Sequence, residues 1–375
     1  MRIVLLLARS TGGIGTHVDD LARELRVLGH DVVIATDELT ADTFAWTDAR
    51  LVWPAGARGG PSAVTALRRI LRGADVVHAH GHQAGALAAL AVRALPRSER
   101  PALVVSLHNA VLGGARRRLL GSATAALFTR TAQLVTGAST DLVEQARSWG
   151  AAWSELAPVP SPRVPELLAR PSRSPADRRA AARPLLESAG VDASAGPDLV
   201  LTIARIAPQK DLMTLVAAAA ADRATSTGSR VWVVVGGGED DLASALRDEA
   251  LKLRAPVHLV GPRRDPTPWL EAAAAFVLTS HWEARALVVQ EAMAAGVPVV
   301  ARDTGGLRDL VRGVGTLVGG SDPGDWAAAV TDLVDDGAAW AAASDAGRAV
   351  AASWDDGART ATRWVSRYAR ARVMT

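Results

Sequence analysis

The sequence contains no cysteine. Disulfide bonds, thiolate catalysis and cysteine-ligated metals are therefore excluded, and the composition fits a cytoplasmic protein. Phenylalanine and tyrosine are rare, so Ala, Val and Leu supply most of the apolar mass. No apolar run reaches the roughly 18–20 residues that a transmembrane helix needs. The formal net charge is only +3 over 375 residues, which gives no general reason to expect nucleic acid as a partner.

The first apolar segment, MRIVLLLARSTGG, has two interpretations. It could be the start of a signal peptide, or it could be the first buried strand of a sheet. The apolar run is short and a glycine-rich turn follows it at once, so the strand is favoured.

Apolar strands alternate with amphipathic helices along most of the chain. Residues 3–8, 17–28 and 31–36 read as strand, helix and strand, which is a βαβ unit with parallel strands. The alternation continues to residue 149 and restarts at residue 198. Residues 157–175 hold six prolines, which are incompatible with helix interiors and central strands.

These patterns predict an α/β protein with two doubly wound, Rossmann-like domains. The first would span residues 1–160, with a linker near residues 158–165, and the second residues 161–350. A helical segment at residues 351–375 carries Trp354, Trp364 and Tyr368. We expect its apolar face to pack back on the first domain.

Two carboxylates flank a strand–loop–helix junction in the second half. Glu283 and Glu291 lie in EARALVVQEAMAAGVPVVA, with the second glutamate in the first turns of the predicted helix. Such junctions bind ligands in open α/β sheets. A carboxylate accepts hydrogen bonds, so these two favour sugar or ribose hydroxyls.

Two cations follow the first strand of the second half. Arg205 and Lys210 stand in ARIAPQKD, just before a helix. A planar guanidinium and a mobile ammonium at a crevice suit a diphosphate, although solvated surface charge is the alternative.

Glycines and histidines mark other strand ends. Gly13 lies in GGIG before a helix, where it could contact a phosphate or form a plain turn. Gly238 in VVVGGGE has the same two interpretations. His108 ends the strand LVVSLH and could face a sugar or phosphate, or be a surface histidine. His78, His80 and His82 alternate through HAHGH, which favours structural or substrate-polar roles over a metal site because Gly81 is expected to end the strand and no carboxylate is nearby in the sequence.

Three consecutive arginines open a predicted helix at Arg116, Arg117 and Arg118. A solvated face is the favoured interpretation. Contact with an anionic lipid or a phosphorylated acceptor is the alternative, and it would bring the protein to the inner face of the plasma membrane.

Together these pieces resemble a glycosyltransferase of the GT-B fold, family 4. The motif with Glu283 and Glu291 matches the family signature, and the matching segments GGIGTHV, DVVHAHG, VVSLHN, LTIARIAPQKD, VVVGGGE and DTGGLRDLV occur in the family's order. The resemblance covers nearly the whole chain, and with the Ala- and Arg-rich composition it predicts a bacterial protein.

The resemblance implies two domains facing across a cleft and retaining transfer of a sugar from a UDP-, GDP- or ADP-sugar. The reaction that the resemblance implies needs no metal or other cofactor, because the departing diphosphate takes the acceptor's proton. The acceptor would be a glycan, a lipid or a small molecule. The catalytic residues that it implies are His108, Glu283, Arg205 and Lys210. The donor-binding residues are Gly13, Arg205, Lys210, Gly238, Glu283, Leu287, Val288 and Glu291.

One segment departs from the family pattern. Ala284-Arg285-Ala286 stands where many members have Gly-Phe-Gly or Pro-Phe-Gly, so we expect a more polar and narrower donor-sugar end. A non-catalytic nucleotide-sugar-binding protein and a GT-B-type sugar-nucleotide epimerase are the alternative functions. The first would predict loss of Arg205, Lys210 or Glu291, and the second would need further carboxylates in the crevice.

Overall fold

The chain divides into two compact units in the computed structural model. The model describes residues 1–10, 12–53, 60–110, 115–226 and 228–375, without the side chains of residues 115–120. The first unit comprises Met1–Pro162 and Asp355–Thr375, and the second comprises Arg163–Trp354. The sequence had placed these divisions after residues 160 and 350.

The first unit is built on a parallel sheet of seven strands in the order β3-β2-β1-β4-β5-β6-β7. Continuous apolar runs such as RIVLLL and ALVVSL form its buried central strands, as expected for a sheet covered on both faces. Its strands are β1 (Arg2–Leu7), β2 (Asp31–Asp37), β3 (Arg50–Trp53), β4 (Val76–His80), β5 (Ala102–Leu107), β6 (Leu134–Gly137) and β7 (Ser154–Leu156).

Helices follow nearly every strand of this unit. They are α1 (Gly13–Val27), α2 (Glu38–Thr43), α3 (Pro61–Leu71), α4 (His82–Arg93), α5 (Ala115–Thr129) and α6 (Thr140–Ser148). Gly15 in α1 is required for packing, because a Cβ there would overlap the ring of Phe44. The sequence predicted the start of α1 at His17, but the helix begins at Gly13, so the glycines form its first turn rather than a separate loop.

The second unit contains a parallel sheet of six strands in the order β10-β9-β8-β11-β12-β13. Its strands are β8 (Asp198–Ile203), β9 (Arg230–Val235), β10 (Val257–Gly261), β11 (Ala273–Leu278), β12 (Val299–Arg302) and β13 (Thr316–Val318). Its helices are α7 (Val164–Ala169), α8 (Pro175–Ser188), α9 (Leu212–Thr225), α10 (Asp240–Leu253), α11 (Thr267–Ala272), α12 (Leu287–Ala294), α13 (Gly305–Val311), α14 (Pro323–Val334) and α15 (Gly337–Ser353).

The last helix, α16 (Gly357–Val373), belongs to the first unit. Trp364 and Tyr368 are 2% and 0% exposed there, within the same apolar core as Ile3 and Leu5 of β1. An unbroken apolar stripe at i and i+4 explains this burial. The chain therefore returns, after the second unit, to complete the core of the first.

A buried arginine ties together several carbonyl groups of the second unit. Arg178 of α8 is 0% exposed and donates hydrogen bonds to main-chain oxygens of Leu270, Ala273, Ala295 and Gly296. It thereby satisfies carbonyls in the last turn of α11 and just beyond the ends of α11 and α12. Burial lowers the pKa of its guanidinium to about 10.

Among the helices that the structure describes, none combines the length and the hydropathy that a membrane-spanning segment requires.

Candidate functional site

The second sheet has a topological switch point between β8 and β11. Strands to one side run in the order β10-β9-β8, and strands to the other in the order β11-β12-β13. Loops that leave the carboxyl ends of such strands diverge and leave a crevice for a ligand. The segment after β8 carries Arg205 and Lys210, and the segment after β11 carries Glu283.

Lys210 and Glu283 form an ion pair at this switch point. The Lys210 ammonium donates to Oε1 of Glu283, and the two side chains are 19% and 13% exposed. Gln209 links the same loops. Its side-chain Nε2 donates to the Trp282 main-chain carbonyl at 2.8 Å, and its main-chain carbonyl accepts from the His281 amide at 2.9 Å. The structure thus brings together two residues that the sequence placed 73 positions apart.

The loop after β12 supports Glu283 from a second side. The Gly306 amide donates to the Glu283 carbonyl at 2.8 Å. Gly305 has φ +45, and a Cβ on it would lie 2.5 Å from that carbonyl oxygen and 2.6 Å from Nε1 of Trp282. The two glycines of DTGGL therefore allow the backbone to approach the Glu283 loop closely.

Arg205 is the other predicted cation of this region. Its side chain is exposed, and within the described part of the chain no hydrogen bond or ion pair is assigned to it. A guanidinium in this state can engage a ligand without first breaking an internal contact.

Gly238 packs against the chain beside Arg205. A Cβ at Gly238 would overlap the Ile206 carbonyl oxygen, and one at Gly236 would overlap the Ala204 carbonyl oxygen. These glycines are explained by contact between two backbone segments, Ile206 and Gly238 forming an isolated parallel bridge. Contact between Gly238 and the donor stays a prediction.

The helix α12 begins at Leu287, shortly after Glu283 in the chain. Its N-cap residue, Ala286, makes no side-chain capping bond, and among the residues that the structure describes no side chain accepts from the first-turn amides of Leu287 and Val288. Both side chains are half-buried. Glu291, one turn further along, is buried within the same helix and takes part in internal contacts.

Arg285 does not point its charge at the Lys210–Glu283 pair. Its guanidinium lies over the ring of Trp354, 5.1 Å from the centroid, and burial lowers its pKa to about 10. Ala284 and Ala286 on either side are buried. The cation–π contact pairs the half-buried arginine with the half-buried Trp354. A more polar and narrower donor-sugar end stays a prediction.

The first unit has its own cluster at the switch point between β1 and β4. His80 ends β4, His108 follows β5, and His17 lies on α1. Nδ1 of His80 is 3.0 Å from Nε2 of His108, and the two rings stack with their centroids 5.3 Å apart. The His17 ring centroid is 5.7 Å from each of them.

These histidines are buried and neutral. Burial lowers the pKa of His17 to about 4, and burial with the neighbouring His17 lowers that of His108 to about 3. Burial and the surrounding imidazoles hold the pKa of His80 well below its usual range. Because Nε2 of the neutral His108 is engaged by His80, Nδ1 is left as a single donor or acceptor for a ligand, which suits a sugar hydroxyl better than a phosphate.

His78 is part of a structural network. Its Nδ1 lies 2.7 Å from the Tyr368 hydroxyl and its Nε2 2.7 Å from Oγ of Ser106, which in turn lies 2.7 Å from Oγ1 of Thr136. His78 and His80 share one face of β4, as the alternation predicted. Gly81, with φ +89, ends the strand, and His82 starts α4 against Phe128 and Trp149.

Within the described ranges, no group of three or more His, Asp or Glu side chains has the geometry to hold a metal ion.

Gly13 is exposed in the first turn of α1. The N-cap residue Gly12 offers no side chain, but Oγ of Ser10 accepts from the Gly15 amide in that turn at 3.0 Å. Gly13 and His108 belong to the first unit, whereas Arg205, Lys210, Gly238, Glu283, Leu287, Val288 and Glu291 belong to the second.

The side chains of Arg116, Arg117 and Arg118 lie outside the described residues, so contact of that segment with an anionic surface stays a prediction. The sequence did not single out Arg302, because it acts through contacts that only the fold creates. It predicted an apolar packing role for Tyr368 but not the hydrogen bond between its hydroxyl and His78.

Two family models match the chain. The model described as "Glycosyltransferase Family 4" matches residues 11–200, and the model described as "Glycosyl transferases group 1" matches residues 197–336. Together the two models span residues 11–336, which leaves α15 and α16 outside them.

Curated relatives include the D-inositol 3-phosphate glycosyltransferase of Frankia alni, which is 39% identical over 35% of this chain and 35% of its own length. D-inositol 3-phosphate glycosyltransferase 1 of Catenulispora acidiphila is 31% identical over 70% of this chain and 64% of its own length. The matches therefore span less than two thirds of these relatives.

Solved structures share the fold over almost the entire chain. HepE of Anabaena, in a complex with UDP-glucose, aligns with a TM-score of 0.80 at 21% identity, covering 99% of this chain and 100% of HepE. Sucrose-phosphate synthase of Thermosynechococcus elongatus aligns with a TM-score of 0.78 at 19% identity, covering 100% of both chains.

Proposed function

Because the chain belongs to glycosyltransferase family 4, we propose that it transfers a sugar from a nucleoside-diphosphate sugar to an acceptor hydroxyl, with retention of anomeric configuration. The observation that carries this proposal is the Lys210–Glu283 pair at the switch point of the second sheet. It places an ammonium, which suits a diphosphate, against a carboxylate, which suits sugar hydroxyls.

The diphosphate, the sugar and the ribose of the donor substrate would each have a matching residue in the second unit. Arg205 and Lys210 would bind the diphosphate, because Lys210 has three N–H donors and can keep Glu283 while it gains a phosphate oxygen. Glu283 would accept from hydroxyls of the donor sugar and Glu291 from the ribose. The amides of Leu287 and Val288 would add the partial positive charge of a helix start.

In the first unit, His108 and Gly13 keep the roles that the family resemblance implies. A neutral imidazole at His108 suits a sugar hydroxyl, and the amide of Gly13 suits a phosphate.

In the proposed step, the bond between the anomeric carbon and the diphosphate oxygen breaks while the acceptor oxygen bonds to the same face of the sugar. The departing diphosphate oxygen takes the acceptor's proton, so a separate protein base is not required. Negative charge develops on that diphosphate, and stabilising it is the main electrostatic demand of the reaction. Arg205 and Lys210 meet this demand, and the proposal assigns no role to a metal ion.

The comparisons suggest where to begin with substrates. HepE structures contain UDP, glucose or UDP-glucose, so UDP-glucose is the first donor to test. The curated relatives are named D-inositol 3-phosphate glycosyltransferases, which makes inositol 3-phosphate the first acceptor to test. GDP- and ADP-sugars follow as donors, and glycans and lipids as acceptors.

A ligand and variant experiment tests the proposal. At least one of UDP, GDP or ADP should raise the melting temperature, and the cognate sugar nucleotide should be slowly hydrolysed. Lys210→Met should reduce donor hydrolysis by about a hundredfold or more, since it removes a charge from the leaving group. Lys252→Met, at the chain's other lysine, which is exposed on α10, is the matched control and should hydrolyse the donor normally. No stabilisation by any nucleotide at millimolar concentration would contradict the proposal, as would full activity of Lys210→Met.

A further inference from the structure

A buried arginine at the end of β12 joins three loops of the second unit. Arg302 is 8% exposed. Its Nε donates to the Thr279 carbonyl at 2.9 Å, and its Nη2 donates to Oδ2 of Asp211 at 2.6 Å. Its Nη1 donates at 3.0 Å to the Gly320 carbonyl and to Oγ of Ser321. Neither the function proposed above nor any comparison gives this residue a role.

The partner of Arg302 in the first loop is held in an uncommon conformation. Asp211, which immediately follows Lys210, has φ +48 and ψ +46, in the left-handed region. A non-glycine residue there costs about 1 kcal/mol or more, although aspartate tolerates it better than most. The Asp211 carboxylate also accepts from Oγ1 of Thr214 at 2.8 Å. Its hydrogen bonds with Arg302 and Thr214 stabilise the backbone in this shape.

Thr279 connects the same arginine to Lys210 by a second route. The Thr279 carbonyl accepts from Arg302, and its hydroxyl donates to the main-chain oxygens of Lys210 at 2.9 Å and Asp211 at 3.0 Å. Thr279 is 0% exposed and comes just before the Glu283 loop. Arg302 is therefore bonded to both segments that carry the Lys210–Glu283 pair.

We propose that Arg302 is a positioning residue for Lys210, holding the ammonium in place through Asp211 and Thr279 so that it can meet the donor diphosphate. The planar guanidinium suits this task, because its donors point in fixed directions to three separate loops. A lysine at this position could replace one hydrogen bond but not the set. The diphosphate part of this inference rests on the proposed function, whereas the positioning of Lys210 does not.

Lysine-selective NMR tests the positioning without any ligand. Lys210 and Lys252 are the chain's two lysines, so 15N labelling at Nζ gives two signals, and Lys252→Met identifies which is which. Arg302→Met should move the Lys210 signal toward that of an exposed lysine and leave Lys252 unchanged. Arg302→Lys should give an intermediate shift. Thr279→Val, which removes one hydroxyl and no charge, should move the Lys210 signal in the same direction by less.

Isothermal titration with UDP and with uridine tests the consequence. Arg302→Met should weaken UDP binding about tenfold, the usual cost of one charge-assisted hydrogen bond, and should leave uridine binding within about twofold. A general loss of folded protein would lower both affinities equally. Arg312→Met, at an exposed cation of the same unit, is the control and should behave as wild type.

The outcomes separate the two proposals. An unshifted Lys210 signal in folded Arg302→Met and Thr279→Val would overturn the positioning role, whatever the ligand data show. Equal weakening of UDP and uridine would also overturn it. Failure of the wild-type protein to bind UDP, GDP or ADP would instead contradict the proposed function, and the ligand-free Lys210 signal would still decide the role of Arg302.

Discussion

A histidine that is buried in α1 makes the stability of the first unit depend on pH. His17 is 4% exposed, and burial lowers its pKa from 6.5 to about 4. Between these values the unfolded chain binds a proton that the folded chain does not. The contribution to stability is therefore complete above pH 6.5 and is lost as the pH falls toward 4.

We expect His17 alone to remove about 2 kcal/mol of stability between pH 7 and pH 5. Urea denaturation at both pH values measures this change. His17→Gln should reduce the difference in unfolding free energy by that amount, because glutamine does not titrate. His281→Gln, at an exposed histidine of the second unit, is the control and should leave the difference unchanged. A pH dependence that is the same in all three proteins would contradict the assignment.

Single residues were predicted well where local sequence decides their position. Lys210 and Glu283 each follow a buried strand, so the parallel sheet alone brings them to one edge, and the ion pair agrees with that expectation. Arg302 and Arg178 were missed because their partners lie on distant segments, which no residue pattern marks. These partners are main-chain carbonyls and, for Arg302, also the side chains of Asp211 and Ser321. Gly238 shows the opposite case, in which a glycine motif that resembles a ligand loop is accounted for by the adjacent backbone.

At the scale of elements, the helix α8 stabilises the second unit through one buried side chain. Arg178→Met should lower the unfolding free energy by about 3 kcal/mol or more, because several buried carbonyls lose their donor. Arg179→Met is the matched control, since the Arg179 side chain is 44% exposed and pairs with Asp198. We expect a change within about 0.5 kcal/mol there. If chemical denaturation showed equal losses of unfolding free energy in the two variants, the buried hydrogen bonds of Arg178 would not be the source of the stability.

The regular strands and long helices followed from hydrophobic periodicity, and the exceptions have physical causes. The short elements α2, α7 and β7 were not predicted, because three to six residues are too few to show a period. The proline-rich segment does contain the unit boundary, after Pro162. However, Pro165 lies in the first turn of α7. A proline is tolerated there, because amides in the first turn of a helix have no intrahelical acceptor to lose.

At the scale of the whole molecule, the two units should respond differently to loss of the last helix. A chain ending at Trp354 lacks α16, so His78 loses the Tyr368 hydroxyl and the core of the first unit loses Trp364. Hydrogen exchange followed by mass spectrometry should show lost protection in β4 and β5 and retained protection in β8 and β9. The milder Tyr368→Phe should cost about 1–3 kcal/mol, because it leaves a buried ring nitrogen without its partner. Uniform loss of protection in both units, or none, would contradict this division.

The position of α16 also sets an order for folding during synthesis. The ribosome releases β1 to β7 first, then the whole of Arg163–Trp354, and only then Gly357–Val373. The unit that begins first is therefore completed last, and its uncovered apolar surface stays exposed to solvent while the second unit is synthesised and folds. A nascent chain in this state is a natural client for chaperones that bind exposed apolar surface.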